Sequence, residues 1–381
     1  MAHGHGRGRE RRGHLRRNLA SAAECPVRGG GSSTMECAKA QPDFPDTGQP
    51  HMTSQFRMPP EWHPQDWLWI GFPHLAEEWS GVIDEAQVQI AAFANAVADS
   101  GQEVRLVVRD AANEMRAKSL VSGAVTLERR TYGDVWLRDT GPLVVLDGAG
   151  RREARLFGFN GWGEKYLMPG DQEIGADLAK SAGLATHGKA DWILEGGALD
   201  GDGTGLVATT EQCLLNPNRN PHLSRGDLEA RLLRDLGYDR VLWLGDGLIN
   251  DHTDGHVDNL ARFVGPNRLA LPRATGPNDP NAAIYADARA RALDAGVEVV
   301  EVPSPGRIEW GDMVQPASYM NFVITSDLVV VPVFGSPHDD DGVAAIAELF
   351  PDRATVGVMG DAVLAGGGGF HCASQQMPKP F

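Results

Sequence analysis

Asp134-Val135-Trp136-Leu137-Arg138-Asp139-Thr140-Gly141-Pro142 is a short apolar run that breaks into charged residues and stops at Gly-Pro. The pattern returns. Trp192-Ile193-Leu194-Glu195-Gly196-Gly197, Asp254-Gly255-His256-Val257-Asp258-Asn259, Asn321-Phe322-Val323-Ile324 and the segment Gly366–Gln376 each join a strand-like run to a polar turn. Their spacing, on the order of sixty residues, is that of repeated structural units. Between them lie helical stretches over 171–182, 224–236, 281–295 and 341–349. Strands over 240–244, 297–302 and 328–332 fill the gaps. Upstream, Trp67–Pro73 reads as an aromatic strand ending at a breaker. Residues 84–98 place apolar side chains at three- and four-residue steps, a helix with one buried face. Val104–Val108 is a buried strand and Val125–Arg129 an alternating one. A strand-rich unit with one helix, repeated around an axis, brings the tip of each unit to a common centre. The expected class is therefore α/β, with distant polar turns meeting in one pocket.

Residues 1–51 differ from the rest. They carry Arg7, Arg9, Arg11, Arg12, Arg16 and Arg17 and a Gly29–Ser33 run, with no periodic apolar face. They read as a disordered extension. No apolar core follows the arginines, as a secretion signal requires. The extension reads best as a mis-assigned translation start, with Met52 or Met58 the natural beginning. Residues 52–381 then form a single catalytic domain. The formal charge of −16 argues against nucleic acid or an anionic membrane as partner and suits a cationic small molecule. No apolar run reaches membrane-spanning length. Only Cys213 and Cys372 fall in the globular part, which suggests a reducing cytoplasm rather than a disulfide framework. A homo-oligomer is left open.

Cys372 follows a run of four glycines, a context that lets the backbone pass close to another group. A lone thiol with His and carboxylates elsewhere is a candidate nucleophile; free Cys is also common as a small core residue. Taken as one site, Asp139, Glu195, His256, Asp258 and Cys372 supply a thiol, an imidazole and three carboxylates. A thiol protease needs one group to orient its His, and three carboxylates would weaken the thiol. The excess makes sense for a cationic substrate. A guanidinium is planar and presents donors in a fork that fits carboxylates, and its amine leaving group needs a proton that His can supply. Each position also has a plainer reading. Arg138 would pair structurally with some acid. Glu195-Gly196-Gly197 could be a turn, and Gly201-Asp202-Gly203 reads as a hairpin rather than half a calcium loop. His252 and His256 are four apart but lack the helical zinc pattern. His256-Val257-Asp258 alternates, which places both polar side chains on one face of a strand. Cys213 reads as core. His371 points away from Cys372 if the segment is extended, so it is not the base.

These residues resemble the agmatine deiminases and the bacterial peptidylarginine-deiminase-like proteins grouped with them. The resemblance is carried by Met58-Pro59-Pro60-Glu61-Trp62, Trp136–Pro142, Phe159-Asn160-Gly161-Trp162-Gly163, Glu195-Gly196-Gly197, Thr253–Asp258, Asn321–Gly335 and Gly367–Cys372. It implies the pentein fold, a five-bladed α/β propeller of ββαβ units with the site on its axis. It implies Cys372 as nucleophile, His256 as acid/base and Glu195 as the residue that orients it. Asp139, Asp258 and Trp136 would bind the substrate. The implied reaction hydrolyses agmatine to N-carbamoylputrescine and ammonia through a covalent Cys372 intermediate, in putrescine biosynthesis, with no metal or organic cofactor. Asp200, Val323 and Gly369-Phe370 depart from the family pattern, and the expectation is that they lie near the substrate tail. Arginine or a C-terminal peptidyl-arginine would use the same chemistry but needs a basic far end, for which Lys165 and Arg219 are the candidates. Amidinotransfer and a non-catalytic binding propeller are the remaining alternatives; the intact polar set argues against the last.

Overall fold

A computed structural model describes residues 55–79 and 81–381. The extension expected over residues 1–51 lies outside the described residues. Within them the strands form five sheets of three or four strands and one small hairpin, Glu309–Trp310 with Met313–Val314.

Four sheets share one plan: an antiparallel pair, then a helical crossover to a strand parallel to the second. The first runs Leu143–Asp147, Arg152–Gly158, helix Ile174–Ser181, Ala185–Ile193. The next runs Asp200–Gly201, Leu206–Thr210, helix Arg225–Leu236, Arg240–Leu244. The others use helices Ala282–Asp294 and Asp339–Leu349 between Arg268–Arg273 and Glu298–Pro303, and between Leu328–Val333 and Ala354–Met359. The fifth sheet is assembled from distant parts of the chain. Ser374–Pro378 pairs antiparallel with Gln65–Gly71, which crosses through helix Ile83–Asp99 to the parallel Glu103–Val108 and then to Val125–Arg129.

Local chemistry explains the element ends. Ser224 caps helix Arg225–Leu236 by accepting from the Asp227 N–H, and Asp227 returns the bond, a reciprocal cap. Gly237 closes the same helix in the left-handed region, φ 77°. Helix Ile83–Asp99 buries Ala86, Ile90, Phe93, Ala94 and Val97 on one face. Phe93 stacks on Phe370 at 4.8 Å between centroids, which ties the core of the fifth sheet to the turn that carries Cys372. The helix expected over 171–182 starts at Ile174, because Asp171 is spent accepting from the Gly133 and Asp134 N–H groups.

Each unit's first strand is preceded by a tight polar turn: Leu137–Thr140, Gly196–Ala198, Val257–Asn259, Tyr319–Asn321 and residues 370–373. The first four touch in succession. The ring closes where the His371 N–H donates to Asn321 Oδ1 (2.9 Å) and the Arg138 N–H donates to the Cys372 carbonyl (3.0 Å). No helix among the described residues is long and apolar enough to cross a membrane.

Candidate active site

The turn ring floors a cavity of about 230 Å³ whose lining includes Cys372, Asp139, Trp136 and Trp162. His256, Asp258 and Glu195 lie directly beneath, each fully buried. Gly197 shows how closely they converge. A Cβ added there would stand 2.5 Å from His256 Nδ1, 2.8 Å from Asp139 Oδ1 and 3.1 Å from Asp258 Oδ2.

Cys372 sits in a turn rather than an extended segment. Asn321 Nδ2 donates to its Sγ at 3.1 Å, and Sγ lies 3.6 Å from Asp258 Oδ2. Burial pushes the thiol pKa well up, and the Asp258 and Asp139 charges add to that. Asp139 accepts from the Gly197 N–H (2.9 Å) and from Trp162 Nε1 (3.0 Å). Burial raises its pKa to about 6 against the pull of His256. Asp258 goes the other way. Burial alone would raise it, but His371, bonded at 2.8 Å through Nδ1, holds it below the usual carboxylate range. Its Oδ1 is buried with no hydrogen-bond partner.

His256 is placed by a sharp reversal. Asp254 (φ 64°) and Gly255 (φ 86°) both take the left-handed region, and Gly255 also packs where a Cβ would meet the backbone of Gly247 at 2.8 Å. His256 then caps the turn Val257–Asn259. The expected strand over 256–258 is thus a one-turn helix: the positive φ values tighten the chain, and both side chains point inward because the turn is buried. His256 Nδ1 lies 3.7 Å from Asp139 Oδ1, and neither ring nitrogen makes a hydrogen bond of ordinary geometry. Burial alone would lower its pKa; Asp139, Cys213 and Glu195 outweigh it and raise it well above the usual value.

Glu195 Oε1 accepts from Arg219 Nε at 2.6 Å, and its Oε2 is buried without a partner. Cys213, read from sequence as plain core, lies beside this group. Donor atoms of Glu195, Cys213 and His256 all fall within 4.8 Å of one another, the one such set among the described residues that could hold a metal ion. The sequence carries no signal for this, since Cys213 and His256 stand about forty residues apart in different turns.

Other expectations need correction. Asp200 does not line the cavity. It binds Arg262 and accepts from the Phe263 N–H at 2.7 Å, a buried structural pair. Val323 and Phe370 are core residues, and Gly369 packs against Asn321, so none of these departures lines the cavity. Arg138 does not pair with an acid. Its guanidinium donates to the side-chain carbonyls of Gln375 (3.1 Å) and Gln376 (2.6 Å) and to the His371 carbonyl. Trp162 and Asn321 contact Asp139 and Cys372, Glu61 reaches Asp258 through His371, and Arg219, a candidate for the far end of the pocket, instead contacts Glu195. The first three stand in the motifs given above, with no signal in the sequence for these contacts.

The family model for Porphyromonas-type peptidyl-arginine deiminase matches residues 57–378. The chain is 35% identical over 358 residues to the agmatine deiminase of Ectopseudomonas mendocina, covering 85% of this chain and 96% of that protein. It superposes on the agmatine deiminase of Enterococcus faecalis with a TM-score of 0.81 at 30% identity, covering 85% and 96% of the two chains. For the C. jejuni agmatine deiminase the TM-score is 0.78 at 27% identity, covering 86% and 97%.

Proposed function

Because the chain belongs to the Porphyromonas-type peptidyl-arginine deiminase family and has the pentein fold, we propose that it is an agmatine deiminase, a hydrolase of the C–N bond of a linear amidine. The observation that carries the choice of substrate is the charge of the cavity lining. Glu77, Glu78, Asp134 and Asp139 face it, and no lysine or arginine among the described residues does. A long diamine derivative, cationic at both ends, suits such a cavity; an α-carboxylate would meet Glu77 and Glu78 with no lysine or arginine in the lining to pair with. The two candidate cations are engaged elsewhere. Arg219 is buried against Glu195 and Asp254, and Lys165 donates to Asp254 Oδ1 and the His252 carbonyl.

In this reading Asp139 and Asp258 grip the guanidinium, and the Trp136 ring packs against the substrate beside Cys372. Two carboxylates disfavour a thiolate in the empty site. The bound cation offsets both charges, so the Sγ proton passes to solvent most readily when substrate is present, while His256 keeps its own. Cys372 Sγ then bonds to the guanidinium carbon. His256 protonates the departing nitrogen, and ammonia leaves a thiouronium on sulfur. Water adds to that carbon as His256 takes one of its protons, the other passes to sulfur as the C–S bond breaks, and the ureido product leaves Cys372 as a free thiol. Glu195, anchored by Arg219, keeps its free Oε2 near His256 and stabilises the imidazolium. Cys213 and Cys372 are both unpaired thiols, which supports a reducing, cytoplasmic setting.

The test is ammonia release from agmatine, arginine and a peptide ending in arginine, with Cys372→Ala beside the wild type. Release from agmatine alone, lost in the variant, is the expected result. Release from arginine or the peptide would overturn the substrate assignment, and unchanged turnover in the variant would overturn the nucleophile.

A further inference from the structure

The Met58–Trp62 motif plays no part in the chemistry above, yet it delivers a carboxylate under the site. Glu61 is buried, and Pro59 and Pro60 fix the backbone that leads into it. Its Oε1 accepts from the Ile324 N–H at 2.8 Å, and its Oε2 takes Arg262 Nη2 and His371 Nε2, the latter at 2.7 Å. The other ring nitrogen of His371 meets Asp258 Oδ2 at 2.8 Å. His371 is 2% exposed and Asp258 0%, so water replaces neither contact. A neutral imidazole has one N–H; only the imidazolium donates from both nitrogens, and here both face a carboxylate oxygen.

We propose that Glu61 and His371 are positioning residues that keep the Asp258 carboxylate charged and aimed at the substrate guanidinium; this rests on the substrate-binding role given to Asp258 above. Asp139 and Asp258 are two buried carboxylates in one site, and each charge opposes the other. Asp139 has only neutral donors, Trp162 and the Gly197 N–H, within hydrogen-bond distance. Asp258 has a cation. Held by His371 through Oδ2, it leaves its unpartnered Oδ1 for an incoming N–H. Glu61 completes the device. Without its charge, the His371 proton is free to pass across the 2.8 Å contact to Asp258, and a neutral acid grips no guanidinium. The turn that delivers the nucleophile thus also delivers the counter-charge for its neighbour. The groups acting on Asp258 are His371, Cys372, His256, Arg262, Arg138 and Asp139; Arg262 and Arg138 also face Glu61.

The experiment measures kcat and KM for agmatine against pH in the wild type, His371→Ala, His371→Asn and Glu61→Gln, with thermal midpoints. In His371→Ala, KM at neutral pH should rise at least tenfold. The acid limb of kcat/KM should move up by about one pH unit or more and steepen, because Asp258 then titrates alongside Asp139. His371→Asn, whose amide still donates to Asp258, should recover part of the loss, and Glu61→Gln should shift the limb in the same direction by less. An unmoved limb and KM in Glu61→Gln or His371→Ala, with only the midpoint lowered, overturns the proposal. If His371→Ala does not fold, the other two variants decide by the same criteria. A second readout is independent of agmatine: the ratio of Cys372 alkylation rates by a cationic haloacetamidine and by neutral iodoacetamide. That ratio should fall at least tenfold in His371→Ala and less in Glu61→Gln; an unchanged ratio also overturns the proposal. Wild-type silence on agmatine with a ratio that falls as expected would refute the agmatine assignment and leave the pair standing.

Discussion

His256 and His371 occupy two turns of one ring, both buried and both among carboxylates, yet their surroundings are opposite. His256 makes no hydrogen bond of ordinary geometry on either ring nitrogen; its neighbours are the Cys213 thiol and an Asp139 oxygen 3.7 Å away. His371 has a carboxylate on each nitrogen, at 2.7 and 2.8 Å. A ring that must give a proton and take it back needs nitrogens that are free to reach a ligand. A ring that must hold a neighbour in one charge state needs both nitrogens engaged. The two turns show that burial beside acids is not itself a sign of catalysis; what distinguishes the roles is which contacts are left open.

The comparison would break first at His256→Asn. Loss of a general acid/base lowers kcat by about 10²- to 10⁴-fold, with KM little changed, whereas His371→Asn should act mainly on KM. Steady-state kinetics with agmatine separates the two, and an equal fall of kcat in both variants would erase the distinction. Gly197→Ala tests the open histidine by crowding it. The new methyl would press first on His256, then on Asp139 and Asp258. A fall in kcat of about tenfold, with overpacking costing about 1–3 kcal/mol in urea unfolding, is expected; full activity would mean that the floor of the cavity yields. The pH profile comes next. Burial raises the Asp139 pKa to about 6, so the wild-type kcat/KM should fall as the pH drops through that value and the carboxylate takes up a proton. A profile flat down to pH about 4, the ordinary carboxylate range, would contradict that assignment. The smallest effect is expected at the mouth. Glu78→Gln should raise KM for agmatine a few-fold without altering kcat, and added salt should shrink the difference, since partly exposed charges are screened.

Much of this was legible in the chain, and the remainder has a physical reason. The repeats and the helices near 84–98, 224–236 and 281–295 follow from periodicity and from turn chemistry, which are local; that Asp139, His256, Asp258 and Cys372 form one site rested on the repeat geometry and the family resemblance, and the structure brings the four together. The strand reading of 256–258 failed because alternation of polar residues is shared by a strand and by a capped one-turn helix; the left-handed Asp254-Gly255 pair decides between them. Glu61 and Cys213 were not legible as site neighbours, and Arg219, read as a candidate for the far end of the pocket, lies against Glu195 instead. Each meets the site across sequence separations that no window spans, from Glu61 to His371 over 310 residues and from Arg219 to Glu195 over 24. Asp200 was misplaced for the same reason. A residue that differs from a family pattern draws attention to the substrate, whereas this one answers Arg262 in the core.

The strand Ser374–Pro378 begins two residues after Cys372 and pairs with Gln65–Gly71, some three hundred positions earlier in the chain. On the ribosome, the partner strand therefore waits through most of translation with one edge uncovered, and the four intervening units can fold around a site that still lacks its thiol. Closing the fifth sheet and seating the Cys372 thiol are thus one event in folding, because the strand that covers the edge of Gln65–Gly71 is tied to that thiol within two residues.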